Sequence, residues 1–285
     1  MSREHLEKYG YFVKKNLFNT EEVEKLKSVM EKIHINNNKT IINDLQNYEE
    51  TWEFLINDKL LDSLKELIGE KIYYLHTGIT RRENQKDIKS SWGWHRDNPC
   101  RRFGWGPDWN KSKPYDVISA IIYLSDSRIT KSGLKIIPYS HKTSLSISNI
   151  LRVISSRIKS IKLLNFFRGV IEKFVGITIK TQPGVAVFFY ANVLHTATTT
   201  KSLRQNIISQ FGTENEHSKN YVNYAFHHRV GGSALVIPYE KDSKTNQDFL
   251  NLLKDKKIYY PIPETKIDIE GASVPKELNV PVNEI

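Results

Sequence analysis

Apolar positions change their spacing along the chain, and the change divides it. Val23, Leu26, Met30 and Ile33 recur three or four residues apart, which puts them on one face of a helix. Asn19 stands before this run and Glu22 sits three residues on, the side-chain pair of an N-terminal capping box. Residues 11–18, YFVKKNLF, read as a short strand ahead of that helix, and NNNKT after it as a polar loop. Trp52, Leu55, Leu60, Leu64 and Leu67 carry a second helical pattern over residues 48–68, with Gly69 as its stop.

From residue 71 the period shifts towards two. KIYYLHTGIT reads as a strand and ENQKD as a turn, followed by a tryptophan-rich stretch punctuated by Gly and Pro. VISAIIYL and LKIIP, joined through Lys131-Ser132-Gly133, then ITIKTQ, VAVFFY after a Pro183-Gly184 turn, LHTATT, RQNIISQFG and YVNYAFHHRV complete a series of short strands. Such a series predicts a sandwich or barrel. With helices packed outside, the fold class is mainly β with flanking helices, a double-stranded β-helix (jelly roll, cupin-like). No Pro/Gly/Ser-rich linker divides the 285 residues, so one domain is expected. It comprises an N-terminal helical part over 1–70, a core over 71–230 with a basic helical insertion at 148–176, and a C-terminal extension over 231–285. Residues 264–285 have few large apolar side chains and read as an extended tail.

Composition narrows the function classes. The single Cys100 excludes an internal disulfide framework and a Cys-based zinc site. The opening MSREHLEKYG lacks an apolar signal-peptide core, and no apolar run approaches the ~20 residues of a membrane span, so a cytoplasmic location is expected. Net charge is +10, which favours an anionic partner. Half of it is local: residues 148–175 hold six Lys or Arg against Glu172 alone, a net +5. In that segment Ile150, Leu151, Ile154, Ile158, Ile161 and Leu164 form a helical apolar stripe interleaved with Arg157, Lys159 and Lys162. Two uses fit beside plain packing on the barrel: a cover that sets cations against an anionic small-molecule substrate, and peripheral contact with a membrane surface. No nucleic-acid-binding motif accompanies the charge, so no nucleic-acid partner is expected.

The candidate chemistry lies in SWGWHRDNPCRRFGWGPDW, residues 91–109. In a strand, His95 and Asp97 face the same side and Arg96 faces away. An imidazole and a carboxylate suit a borderline-to-hard divalent metal, and two His with one carboxylate is the open-sided ligand set of non-haem Fe(II) oxygenases. His195, after an apolar strand-like run, is the candidate second His, and Arg204 follows it nine residues later at the head of another apolar run. Trp94 and Trp105, with Trp92 and Trp109, serve either core packing or a pocket wall. Arg101 and Arg102 suit a substrate phosphate or carboxylate, or a solvated loop.

Together with HLEKYGYFVKKNLFNTEEVEKLKSVM, IIYLSD and SGLKIIPYSH, these residues resemble the phytanoyl-CoA dioxygenase family of Fe(II)- and 2-oxoglutarate-dependent oxygenases over residues 5–212. The resemblance implies that His95, Asp97 and His195 bind Fe(II), that Arg204 binds the distal carboxylate of 2-oxoglutarate, and that O2 is the oxidant. Tyr123 can reach the same carboxylate or serve as a core tyrosine. Ser202, Thr200, Asn206 and Ser209 are further hydrogen-bonding candidates there. His141, where the family has Pro-Gly-Ser-His and this chain Pro138-Tyr139-Ser140-His141, is expected to make a structural hydrogen bond. Related halogenases lack the carboxylate ligand, so Asp97 implies hydroxylation. A zinc-type metallohydrolase with the same ligands and a non-catalytic jelly-roll binding module are the alternatives.

Overall fold

A computed structural model describes residues 2–37, 41–43, 45–82, 94, 96–97, 117–142, 176–198, 200–215, 218 and 244–260. Helix α1 (Ser2–Tyr9) leads into strand β1 (Tyr11–Lys14), helix α2 (Thr20–Asn37) and strand β2 (Ile41–Asn43). Two short helices follow, α3 (Trp52–Leu55) and α4 (Asp58–Ile68), then strands β3 (Tyr73–Arg82) and β4 (Ile118–Tyr123). A single helical turn, α5 (Ser127–Thr130), precedes β5 (Leu134–Ile136), β6 (Ile177–Ile179), β7 (Ala186–Tyr190), β8 (His195–Ala197) and β9 (Arg204–Gly212), and helix α6 (Lys244–Asp255) comes last.

The strands form a six-stranded sheet, β1-β7-β4-β9-β3-β2, and a three-stranded sheet, β6-β5-β8. Every pairing between these strands is antiparallel. This is the predicted double-stranded β-helix. Strand alternation splits the larger sheet into two faces. Ile79, Ile207, Phe211, Ile122 and Phe188 belong to its outer face, beneath the helices; Arg81 and Gln205, paired across β3 and β9, both reach Glu31 of α2 there. The inner face carries Arg204, Asn206, Ile208 and Gln210 of β9 beside Tyr123, Ile121 and Ser119 of β4. It looks towards the smaller sheet: Arg204 reaches Ser132 next to β5, and Phe189 of β7 lies 4.6 Å, ring to ring, from His195 of β8.

The capping box forms as expected. The Asn19 N–H donates to Glu22 at 2.8 Å and the Glu22 N–H to Asn19 Oδ1 at 2.9 Å, while Val23, Leu26, Met30 and Ile33 are buried. Gly69 ends α4 at φ 97°, and Gly184 makes its turn at φ 81°. At Gly184 the need for glycine is also steric, since a Cβ would stand 2.1 Å from the Phe18 carbonyl oxygen.

Two expectations need correction. The YFVKKNLF strand stops at Lys14: Asn16 adopts φ 53°, and the Phe18 N–H leaves the strand direction to bond Gly184 O at 3.2 Å. Helix 48–68 is broken, because the Asn57 side chain caps a new helix by accepting from the Lys59 N–H at 3.0 Å. The N-terminal part adds β2 to the expected strand β1, and the two stand at the ends of the six-stranded order. The C-terminal extension contains α6, whose Phe249 packs between Trp52 and Tyr74 at 5.4 and 5.3 Å. Full burial of Phe249 and Leu253 contributes about 1.5–3 kcal/mol each. The insertion at 148–175, the strand YVNYAFHHRV and the tail at 264–285 lie outside the described residues. Among the described residues, no helix is long and apolar enough to cross a membrane.

Candidate active site

Asp97 lies in a bend, not in the strand assumed from the H-x-D spacing. Its N–H donates to Ala191 O at 2.7 Å, which ties the segment to the link between β7 and β8. Arg96 is buried, donating to the carbonyls of Ser140 at 2.9 Å and of Asn192. His95 lies outside the described residues, as do Arg101, Arg102 and Trp105.

His195 opens β8. Its Nδ1 donates to Val193 O at 3.0 Å, and its Nε2 faces Asp97 Oδ1 at 3.4 Å. The second oxygen, Oδ2, accepts from Ser119 Oγ at 2.7 Å and Gln210 Nε2 at 3.3 Å. The structure thus joins two of the three proposed ligands, from distant parts of the chain, with one imidazole nitrogen and one carboxylate oxygen converging. That donor pair suits a divalent cation. Among the described residues there is no cluster of three or more His, Cys, Asp or Glu able to hold a metal.

Arg204 stands at the head of β9 with its side chain on the inner face. It donates to Ser132 Oγ at 2.7 Å and Thr198 O at 3.2 Å, both uncharged acceptors, and its Nε is buried without a partner. Burial lowers its pKa, yet an arginine remains charged. A buried guanidinium that forms no ion pair among the described residues is chemically suited to a small carboxylate. Tyr123 is on the same face, buried, its pKa pushed up to about 12 by burial against the opposing pull of Arg204, so it is a neutral phenol.

The other hydrogen-bonding candidates separate. Asn206 is on the Arg204 face, opposite Thr80 and Tyr123, with a buried Oδ1 that has no partner. Ser209 is on the outer face, where it accepts from Thr77 at 3.3 Å; one residue along a strand reverses the side. Ser202 makes no hydrogen bond to the guanidinium, which takes Ser132 and Thr198 instead, and the Ser202 Oγ is buried without a partner among the described residues. Thr200 bonds the carbonyls of Thr130 and Ser202. His141 makes its structural hydrogen bond, to Glu7 O at 3.0 Å, and stacks on Tyr190. Trp94 is buried and tightly packed, its Cη2 2.9 Å from where a Gly176 Cβ would stand. Tyr139, at the family's glycine position, holds φ 66° and rests its ring 5.2 Å from Tyr9.

Two inner-face residues escaped the sequence. Arg82 pairs with Arg204 across β3 and β9, and its pKa falls to about 10 through burial and then the neighbouring Arg204. Alternation from Gly78 through Thr80 would have placed Arg82 on this face. His76 pairs with Gln210, and no sequence signal put it there. The register shifts between Tyr74 and His76, so Leu75 is an extra residue. This bulge turns His76 inward while Tyr74 stays outward on Phe211.

Burial depresses the His76 pKa from 6.5 to about 4, against a raising pull from Asp97. The unfolded chain therefore binds a proton here at a higher pH than the folded chain does. The contribution is fully present above about pH 6.5 and falls as pH drops towards 4, by on the order of 3 kcal/mol. His76→Gln is expected to flatten this part of the profile. Urea unfolding of both proteins at pH 7 and 4.5 checks it; an unchanged difference between the two pH values in the variant refutes it.

A double-stranded β-helix with an Asp–His pair and a buried arginine on its inner face defines the scaffold and donor set of a non-haem oxygenase. Residues 6–150, just over half of the chain, match the family model "Phytanoyl-CoA dioxygenase (PhyH)", and the chain belongs to that family of Fe(II)- and 2-oxoglutarate-dependent oxygenases. It is an enzyme of that class. No curated protein matches at a significant level. Among solved structures, HygX from Streptomyces hygroscopicus with nickel and 2-oxoglutarate bound is 17% identical, TM-score 0.57, over 75% of this chain and 88% of that one. EctD from S. alaskensis with bound Fe is 14% identical, TM-score 0.56, over 74% and 75%. SnoK, a non-haem α-ketoglutarate-dependent carbocyclase from nogalamycin biosynthesis, is 13% identical, TM-score 0.55, over 74% and 83%. At these identities the likeness establishes the common fold.

Proposed function

We propose that His95, Asp97 and His195 hold one Fe(II), that Arg204 grips the distal carboxylate of 2-oxoglutarate, and that the enzyme hydroxylates an anionic small molecule. The observation that carries this is the inner-face arrangement: Asp97 Oδ1 converges on His195 Nε2, and a buried Arg204 meets only neutral acceptors. When bound, iron with 2-oxoglutarate and O2 supplies oxidation of an unactivated C–H bond, coupled to decarboxylation to succinate and CO2. The chain's residues bind, orient and exclude water. Val193 fixes the His195 tautomer, Phe189 flanks its ring, and neutral Tyr123 and Asn206 offer hydrogen bonds beside Arg204. A zinc hydrolase would use the Asp–His pair but gives Arg204 no task. The test is direct: with Fe(II) and O2, 2-oxoglutarate is expected to yield succinate, accelerated by substrate; no succinate above a metal-free control refutes the reading.

The anionic character of the substrate is supported by charge. Arg82 adds a second guanidinium to the inner face, and the sequence at 148–176 contributes Arg157, Lys159 and Lys162. An acyl-CoA, a sugar derivative or a natural-product intermediate with a phosphate or carboxylate fits this chemistry, with Trp94, Arg101, Arg102 and Trp105 proposed for the substrate side. Replacing Arg157, Lys159 and Lys162 with Gln is expected to raise the KM for substrate while leaving iron and 2-oxoglutarate binding intact. The wild-type KM should rise more steeply with salt than the mutant's, because exposed charge attraction is screened. Equal KM values and equal salt dependence would leave the segment structural.

A further inference from the structure

The surroundings of Asp97 extend past its proposed ligand role. Its two carboxylate oxygens are treated differently. Oδ1 faces His195 Nε2 at 3.4 Å. Oδ2 accepts from Ser119 Oγ at 2.7 Å and from Gln210 Nε2 at 3.3 Å, and Gln210 Nε2 also donates to Ser119 Oγ at 3.3 Å. The hydroxyl proton goes to Oδ2, and the Gln210 amide is shared between Oδ2 and the hydroxyl oxygen, which stand side by side. Ser119 is 0% exposed and Gln210 is 3% exposed. Their Cα positions are register partners across β4 and β9, so two neighbouring strands of the large sheet hold the triangle.

We propose that Ser119 and Gln210 are positioning residues that occupy Asp97 Oδ2 and so present the carboxylate to the metal through Oδ1 alone. This rests on the iron-centre reading and deepens it. A carboxylate held by one oxygen takes one coordination position; a free carboxylate can swing to take two. Hydrogen bonds from both partners also fix the direction of the carboxylate. Asp97 lies in a bend tied to Ala191 O through its N–H, and its side chain takes two partners from the large sheet. Sequence spacing could not have supplied these partners, since Ser119 and Gln210 lie 22 and 113 residues from Asp97.

The experiment is anaerobic Co(II) titration of the wild type, Ser119→Ala, Gln210→Leu and Asp97→Ala, with the visible Co(II) spectrum recorded at saturation. Melting of each metal-free protein serves as the fold control. Loss of an outer partner of a ligand typically weakens metal binding about 10–100-fold. Each of the two variants is therefore expected to bind Co(II) at least tenfold more weakly. The Co(II) bands are expected to change with the coordination number, a signature that a purely structural role would not move. Ser119→Thr, which keeps the hydroxyl, should restore the wild-type spectrum. If either variant does not fold, the other decides. A Co(II) affinity within threefold of wild type and an unchanged spectrum, with Asp97→Ala losing the metal, overturns the clamp and leaves the iron centre standing. Unchanged Co(II) binding in Asp97→Ala overturns the iron-centre reading itself.

Discussion

Asp97→Ala is expected to abolish stoichiometric Fe(II) binding. Asp97 is the carboxylate of the proposed ligand set, and its Oδ1 already converges on His195 Nε2. Its removal leaves two neutral imidazoles, which give a hard divalent cation no compensating negative charge. Partners outside the ligand set are worth about 10–100-fold in metal affinity, so a direct anionic ligand should be worth more than about a hundredfold. Anaerobic Fe(II) titration by calorimetry reads the result, one ion per chain in the wild type and none at micromolar metal in the variant. Equal stoichiometry and affinity would move the metal elsewhere. The variant should remain folded, because Ser119 and Gln210 keep each other as hydrogen-bond partners once Oδ2 is gone.

Arg204→Leu should produce the second large effect, on 2-oxoglutarate and not on iron. A hydrogen bond to a charged group contributes about 1.5–3 kcal/mol, so the affinity for 2-oxoglutarate should fall by roughly ten- to a hundredfold or more. Fe(II) stoichiometry should stay at one, since Arg204 bonds Ser132 and Thr198 and not the proposed iron ligands among the described residues. Arg204→Lys should fall in between: the charge is kept, but the planar fork that grips a carboxylate with two bonds is lost. Arg82 across the strand pair retains positive charge nearby, which keeps the leucine variant from losing all affinity. Normal 2-oxoglutarate binding in Arg204→Leu would transfer the carboxylate to another cation, Arg82 first.

Much of this site was legible before any coordinates. The candidate Asp97 and His195 pair follows from the H-x-D spacing and a histidine after a strand-like run, and the task of Arg204 from the resemblance to the family. Helical and strand periods located α2, β4, β7 and β9 to within a residue or two, and the C-terminal end of α4. Misses have specific causes. Asn57 interrupts one helix because its side chain makes a local hydrogen bond that periodicity does not register. Helix α6 lies in a stretch of polar residues whose few apolar positions, Phe249 and Leu253 among them, gain meaning only against Trp52 and Tyr74. Ser209 was grouped with Asn206 because a list of nearby polar residues ignores strand phase; one step along β9 separates the inner face from the outer.

The amino-acid sequence by itself determined the class of chemistry and the fold that carries it. An imidazole, a carboxylate and a guanidinium have fixed preferences for metals and anions, and short alternating strands with Gly and Pro turns can bury their apolar sides only by closing on one another. Tertiary structure alone decided which side chains support that chemistry. Ser119 and Gln210 meet Asp97 because β4 and β9 are neighbours in the sheet. Ser132 meets Arg204 because the smaller sheet faces the larger. His76 points inward because the extra residue Leu75 reverses the phase of β3. Each depends on register between segments far apart in the chain, and a register is set by the packing of the whole sheet, which no local pattern contains.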